Sequence, residues 1–282
     1  MSDDLIVSSQ SSPSLTSIRQ FDEEEIKAEV LILRSMLKLE SLDGIERFRN
    51  LVELVISHCP RITSLAPLSQ LGSIKRLTIE RCRRLVSPPP DWPLSLEQLM
   101  IKETPIRELG RLPSTITGVL DVHACQSLIS VGKLSRTSSL TDLIIGYTVV
   151  DLQGIYELRD ISVHLNLSSA TRGCLPTDRI IPDDLIQALA CVDGLSLRIY
   201  DPTVYRALTI VNFECLSRLS NLRKLDLSNC EISEPSALVS LINLEHLKIQ
   251  PRSPLSKSLG GCTFSTRSQV QQAQLAILAM RS

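Results

Sequence analysis

Apolar residues along the chain recur in one frame: two aliphatic positions three apart, a third two further on, and a closing residue three beyond that. Leu51, Leu54, Ile56 and Cys59 set the frame, and Ile74, Leu77, Ile79, Cys82 and Leu96, Leu99, Ile101, Thr104 repeat it. It returns at Leu140, Leu143, Ile145, Thr148; at Leu158, Ile161, Val163, Asn166; at Val192, Leu195, Leu197, Tyr200; and at Leu222, Leu225, Leu227, Cys230. A degenerate copy puts Thr117 in the first slot ahead of Leu120, Val122 and Cys125. Leu244, Leu247 and Ile249 open a copy that lacks its closing residue, and Leu31 and Leu33 begin one ahead of all the others. Alternation inside each copy has the two-residue period of a short strand buried on one face.

The last aliphatic residue of each strand motif falls at 33, 56, 79, 101, 122, 145, 163, 197, 227 and 249, giving intervals of 23, 23, 22, 21, 23, 18, 34, 30 and 22. Between the strands a second pattern has a period of three: Leu39, Leu42, Ile45, Phe48; Ile62, Leu65, Leu68, Leu71; Leu152, Ile155, Leu158; and Ile232, Pro235, Leu238, Leu241. That is the period of 3₁₀ turns. The two long intervals predict true helices. One runs from Pro182 to Ala190, with Asp183 and Asp184 in its first turn, and one lies within Tyr205 to Leu219. Together these periods predict an α/β leucine-rich repeat solenoid of nine or ten repeats. Its parallel β-sheet lines a concave face, its convex side is 3₁₀ or irregular, and helices enter the longer C-terminal repeats.

The repeat region spans 21–250 and is irregular over 164–220. Residues 1–20, rich in serine and interrupted by Pro13, read as a disordered tail. Ile26, Val30, Leu33 and Leu37 fit an amphipathic capping helix, whereas the alternation of Leu31 and Leu33 fits a first strand. Residues 251–282 read as a loop followed by a capping helix from about Gln269 to Met280. Ser265 or Thr266 caps it, and Val270, Ala273, Leu275, Ile277 and Leu278 cover the open end of the core.

Composition narrows the function. Hydrophobic residues make up 43% and aromatic ones 3%, so aliphatic side chains fill the core. With 30 basic and 31 acidic residues the net charge is −1, which gives no basic stripe for nucleic acid. No apolar run reaches the ~18 residues of a membrane helix. Asp3, Asp4 and the short apolar stretch Leu5–Val7 do not make a signal sequence, so the expected location is the cytoplasm, or a host cytoplasm for a delivered effector. Of eight cysteines, Cys59, Cys82, Cys125 and Cys230 share the closing position with Thr104, Thr148 and Asn166. They read as free structural thiols capping backbone groups in a reducing compartment. No Cys-x-x-Cys pair points to zinc, and phosphate-loop, nucleophile-elbow and dinucleotide motifs are absent. No metal or cofactor is expected. A remote enzyme reading, hydrolase-type, would place Cys174 with Asp178 or Asp183 in the irregular stretch 166–190, which itself contains no histidine.

Residues between and just after the inward leucines face outward. On that face the contact centre expected for a partner protein or peptide is Arg76, Met100, Lys102, His123, Tyr147, His164 and Arg198. All four histidines fall on the same face, spread over coils ~4.8 Å apart, too far to share one zinc ion. The chain is expected to be monomeric by itself.

Ile62-Thr-Ser-Leu-Ala-Pro-Leu-Ser-Gln-Leu71 and Ile232-Ser-Glu-Pro-Ser-Ala-Leu-Val-Ser-Leu241 resemble the 22-residue repeats of bacterial internalin-like proteins. The stretch Cys82-Arg-Arg-Leu-Val-Ser-Pro-Pro-Pro90, with Ser95-Leu-Glu-Gln-Leu99 and Thr104-Pro-Ile106, resembles the repeat region of plant intracellular immune receptors. The resemblance covers about half the chain. It implies a non-enzymatic module that recognises a protein through its concave face, as an adaptor, a bacterial effector or an immune-receptor-like protein.

Overall fold

The computed structural model describes residues 4–280 except 114, 133, 135–138, 147–151, 153–154, 168–177, 180, 201–207, 211–212, 233 and 252. The chain forms two compact units, Met1–Thr141 and Asp142–Ser282.

In the first unit six strands pair in parallel in chain order: β1 (Asp4–Ser8), β2 (Val30–Arg34), β3 (Glu53–Ser57), β4 (Arg76–Glu80), β5 (Ser95–Lys102) and β6 (Thr115–Asp121). Register follows the frame. Leu31, Leu54, Leu77 and Leu99 are partners in successive strands, as are Leu33, Ile56, Ile79 and Ile101, and every one is fully buried. Burial of each aliphatic side chain contributes about 2 kcal/mol, and stacking in register makes that gain repeat per coil. The chain returns through 3₁₀ turns at Ile45–Arg47 and Ala66–Gln70, which bury Ile45, Pro67 and Leu68 as the three-residue period predicts.

Leaving β2 to β6, the backbone turns through a left-handed residue that is never glycine: Ser35 (φ 55°), His58 (55°), Arg81 (55°), Glu103 (49°) and Ala124 (62°). This conformation costs about 1 kcal/mol for a residue with a Cβ. Bonds to the next coil offset the cost, because the N–H groups of Ser35, His58 and Arg81 donate to the carbonyls of Ser57, Glu80 and Lys102 at 2.8–3.0 Å. The residue that follows is then thrust into the core: Met36, Cys59, Cys82, Thr104 and Cys125.

Two expectations need correction here. Within the segment 1–20, expected to be a disordered tail, the described residues 4–20 are ordered: β1 pairs with β2, and Val7, Leu15 and Ile18 are buried. The serines that suggested disorder make turn bonds instead. Ser8 and Ser11 bond one another's backbone and side chains, and Ser17 forms a capping box with Gln20. The parallel sheet thus already includes Asp4–Ser8, and the first strand prevails over a capping helix, leaving only a 3₁₀ turn at Glu25–Lys27. Thr117 does not fill the first slot of the degenerate copy. A bulge against Leu96–Gln98 admits one extra residue, so Ile116 is the buried partner of Leu96.

In the second unit β7 (Asp142–Gly146) and β8 (Ser162–Asn166) pair in parallel. A small separate sheet uses β9 (Asp178–Arg179), β11 (Leu208–Ile210) and β13 (Cys230–Glu231). The main sheet continues from β8 through β10 (Ser196–Tyr200), β12 (Lys224–Leu227) and β14 (His246–Ile249), and ends with β15 (Thr263–Phe264) antiparallel to β14. Helix α1 (Asp183–Leu189) starts at Pro182 and buries Leu185, Ile186 and Leu189. Where a second helix was expected, Phe213–Arg218 is a 3₁₀ helix. After α2 (Pro254–Ser258), α3 (Arg267–Ala279) is capped by Thr266, whose hydroxyl accepts from the Gln269 N–H. Val270, Ala273 and Ile277 are its buried face; Leu275 and Leu278, expected to join them, are exposed. The Gln274 amide donates to the carbonyls of Leu238 and Leu241 at 2.7 and 3.1 Å, closing the 3₁₀ turn Pro235–Ser240 beneath α3.

Candidate functional site

Outward positions of the first unit lie in three rows across the strands. The outer rows are polar except at Val30: one runs Asp4, Val30, Glu53, Arg76, Gln98, and the other Ser8, Arg34, Ser57, Glu80, Lys102. The middle row is Ile6, Ile32, Val55, Thr78 and Met100. This is an apolar stripe across five strands; Ile6 is 61% exposed, and Ile32, Val55 and Met100 are half-buried. The expected face residue Met100 is thus one end of a band. Ile6 and Ile32 were missed because they lie ahead of the first clear repeat, although the alternation Leu5, Ile6, Val7 carried the signal.

Arg76, Arg81 and Lys102 of the first unit are neutralised at short range, whereas the exposed Arg34 of the same face forms no ion pair among the described residues. Arg76 Nε lies 2.8 Å from Glu53, and Arg81 Nε lies 2.9 Å from both oxygens of Glu103. Arg81 also donates to His58 Nε2 at 2.9 Å, so the imidazole proton is on Nδ1 and points to the Ser57 hydroxyl, which donates to Glu80 at 2.6 Å. Lys102 and His123 meet at one carboxylate, Asp121, which is 2% exposed and lies 2.9 Å from Lys102 Nζ. Burial pushes the Asp121 carboxyl up, but bonds from His123 and Lys102 outweigh it and hold the group below the usual carboxylate range. Asp121 stands between the inward Leu120 and Val122, where alternation points a side chain outward, but its neighbours cover it and make it the anchor of two expected contact residues.

The second unit is arranged differently. One row runs Asp142, Ser162, Ser196, Lys224, His246, and the next Ile144, His164, Arg198, Asp226, Lys248. With Thr263, Phe264 and Ser265 as a wall, the β8–β14 part of this face forms a cleft of about 420 Å³. His164 Nε2 lies 3.2 Å from Asp142. Arg198 and Lys248 each stand 3.7 Å from Asp226, and the Arg198 guanidinium sits 5.2 Å from the Tyr200 ring centre. Burial raises the Asp226 carboxyl, but bonds from Ser228 and the nearby Lys248 and Arg198 hold it low. Among the described residues Lys224 and His246 form no ion pair. Arg76, Met100, Lys102 and His123 therefore belong to the first face and His164 and Arg198 to the second, while Tyr147 lies outside the described residues.

The closing positions do cap the strand ends. Cys59 Sγ contacts the carbonyls of Leu33 and Ser57 at 3.7 and 3.5 Å, and Cys82 Sγ that of Glu80 at 3.5 Å. Cys125 Sγ reaches Ile101 at 3.1 Å and the Thr104 hydroxyl at 3.4 Å, and Cys230 Sγ reaches Ile199 at 3.4 Å. Asn166 is buried in the same way, and Thr148 lies outside the described residues. So does Cys174; Asp183, its suggested partner, pairs with Arg218. Among the described residues no cluster of three or more His, Cys, Asp or Glu could hold a metal, and no helix is long and apolar enough to cross a membrane.

Residues 221–241 match the family model described as Leucine Rich Repeat. The chain is similar to an internalin from Listeria monocytogenes, with 16% identity over 80% of this chain and 68% of that one and a TM-score of 0.27. It is also similar to an LRR protein of Leptospira interrogans, with 14% identity over 91% of this chain and 93% of that one and a TM-score of 0.22. Superpositions that loose say nothing of function. No curated protein matches the sequence.

Proposed function

Because the chain is a leucine-rich repeat protein, we propose that it is a non-enzymatic recognition module that binds another protein through the exposed face of its strands. One observation carries the reading: the apolar stripe Ile6, Ile32, Val55, Met100 between two polar rows. Exposed apolar area framed by polar groups is where protein partners gain most on association. Of the flanking charges Arg76 and Lys102 are already paired within the chain, so they fix orientation more than they add affinity. A cytoplasmic setting accords with the seven described free cysteines. The test is affinity capture from a lysate of the source organism, comparing the wild type with a Val55→Asp, Met100→Asp double variant. Both side chains point outward, so the fold and melting temperature are expected to hold while specifically retained proteins are lost. Retention of the same proteins by both forms would overturn the proposal.

A further inference from the structure

The two strand faces differ in how they treat their own cations. In the first unit Arg76, Arg81 and Lys102 are each matched to a carboxylate at 2.8–2.9 Å, and Arg34 stands as a single isolated cation toward the β1 edge. In the second unit Arg198 and Lys248 share one carboxylate, Asp226, at 3.7 Å, beyond hydrogen-bond length. Lys224 and His246, partners in adjacent strands, form no ion pair among the described residues. Arg198, Lys224 and Lys248 are exposed, and all four groups line the one 420 Å³ cleft closed on its far side by β15. Donors are thus concentrated where a partner can enter, with a single internal anion to satisfy them.

Spacing limits what can enter. Arg198 and Lys248 lie two strands apart, ~10 Å at the backbone, with Asp226 between them. Arg198 and Lys248 converge on Asp226, so a dianionic phosphate held between them would meet that carboxylate at the centre. Two separate single charges, one of them held away at Lys224 and His246, meet less of that repulsion. In an extended peptide, side chains at i and i+2 lie on one face ~6.6 Å apart, within reach of flexible lysine and arginine tips. Resting on the protein-binding reading above, we infer that the cleft receives an extended segment of a partner protein carrying an acid–x–acid pair, with one carboxylate taken by Lys224 and His246 and the other by Arg198 or Lys248. A polyanion such as RNA fits less well, because the cationic patch spans only three strands and the adjoining row ends in Asp142.

Selection of random displayed linear peptides on the full chain tests this, followed by fluorescence anisotropy of the enriched peptides. The wild type is expected to enrich acid–x–acid sequences. A Lys224→Glu, Lys248→Glu double variant is expected to weaken their binding about tenfold or more, as is Gln for Glu in the peptide. The Val55→Asp, Met100→Asp variant is expected to leave it unchanged. Enrichment without an acidic pair, binding indifferent to charge reversal, tighter binding of phosphoserine versions, or no enrichment would each overturn the inference. If lysate capture still depends on Val55 and Met100, only the cleft assignment fails; if capture is indifferent to those positions too, the strand-face reading falls with it.

Discussion

Cys59, Cys82, Cys125 and Cys230 stand where the chain leaves a strand and carbonyls need a donor, and a thiol is a weak one. Burial decides their chemistry more than bonding does. It pushes Cys59 up to about 11 and Cys82 and Cys230 up to about 12, against 9.0 for an ordinary thiol. Below pH 9 both folded and unfolded chains keep these protons. Between pH 9 and 12 only the folded chain does, so stability is expected to be flat below pH 9 and to fall as pH rises above it. In native protein near neutral pH, iodoacetamide followed by mass spectrometry is expected to mark the exposed Cys191 and the half-exposed Cys262 and to spare these four until denaturant is added. Modification of Cys82 or Cys230 in the native state would contradict that. These positions were legible in the sequence because a fixed spacing from the inward leucines assigns them. The fate of Lys102 and His123 was not, because their common partner Asp121 comes from strand register, which a list of outward positions does not contain.

At the scale of elements, strand pairing exposes what periodicity alone misjudges. The degenerate copy reads Thr117, Leu120, Val122 only if β6 is regular, and it is not. Its bulge lets Ile116 take the buried slot, and Gly118 makes the close approach possible, since a Cβ there would lie 2.6 Å from the Glu97 carbonyl oxygen. The obstacle is backbone, so a side chain cannot be accommodated by rotation. Gly118→Ala is expected to cost about 2 kcal/mol and to lower the urea midpoint, whereas Gly72→Ala, with no atom within 4 Å of the added Cβ, is expected to leave it nearly unchanged. Equal midpoints for the two variants would mean that the bulge relaxes freely. The same limit explains the first coil. Serine content suggests disorder, but the first coil is held by the buried Val7, Leu15 and Ile18, which composition does not reveal. The C-terminal helix was readable from Thr266 and the Val270, Ala273, Ile277 spacing because both its cap and its buried face are local.

Over the whole molecule a net charge of −1 conceals two unlike binding chemistries. The first unit offers an apolar band between rows whose Arg76 and Lys102 are neutralised at short range; the second offers a cleft whose cations outnumber its anions. Such a difference is invisible in a count of charges, because it depends on which carboxylates lie at 2.8–2.9 Å and which at 3.7 Å. It is measurable through salt and heat. Exposed charges are screened within ~8 Å at physiological ionic strength, while burial of apolar area is nearly indifferent to salt and lowers heat capacity. A partner docked on the Ile6–Met100 band is therefore expected to bind with a clearly negative heat-capacity change, its dissociation constant moving by less than about threefold between 50 and 300 mM salt. Acidic peptides in the Lys224–Lys248 cleft are expected to lose most of their affinity over that range, mainly through slower association. Calorimetry at three temperatures with a parallel salt series separates the two. A captured partner whose binding collapses with salt and shows no heat-capacity change would place its main contact on charges rather than on the apolar band, and would shift the recognition surface to the second unit.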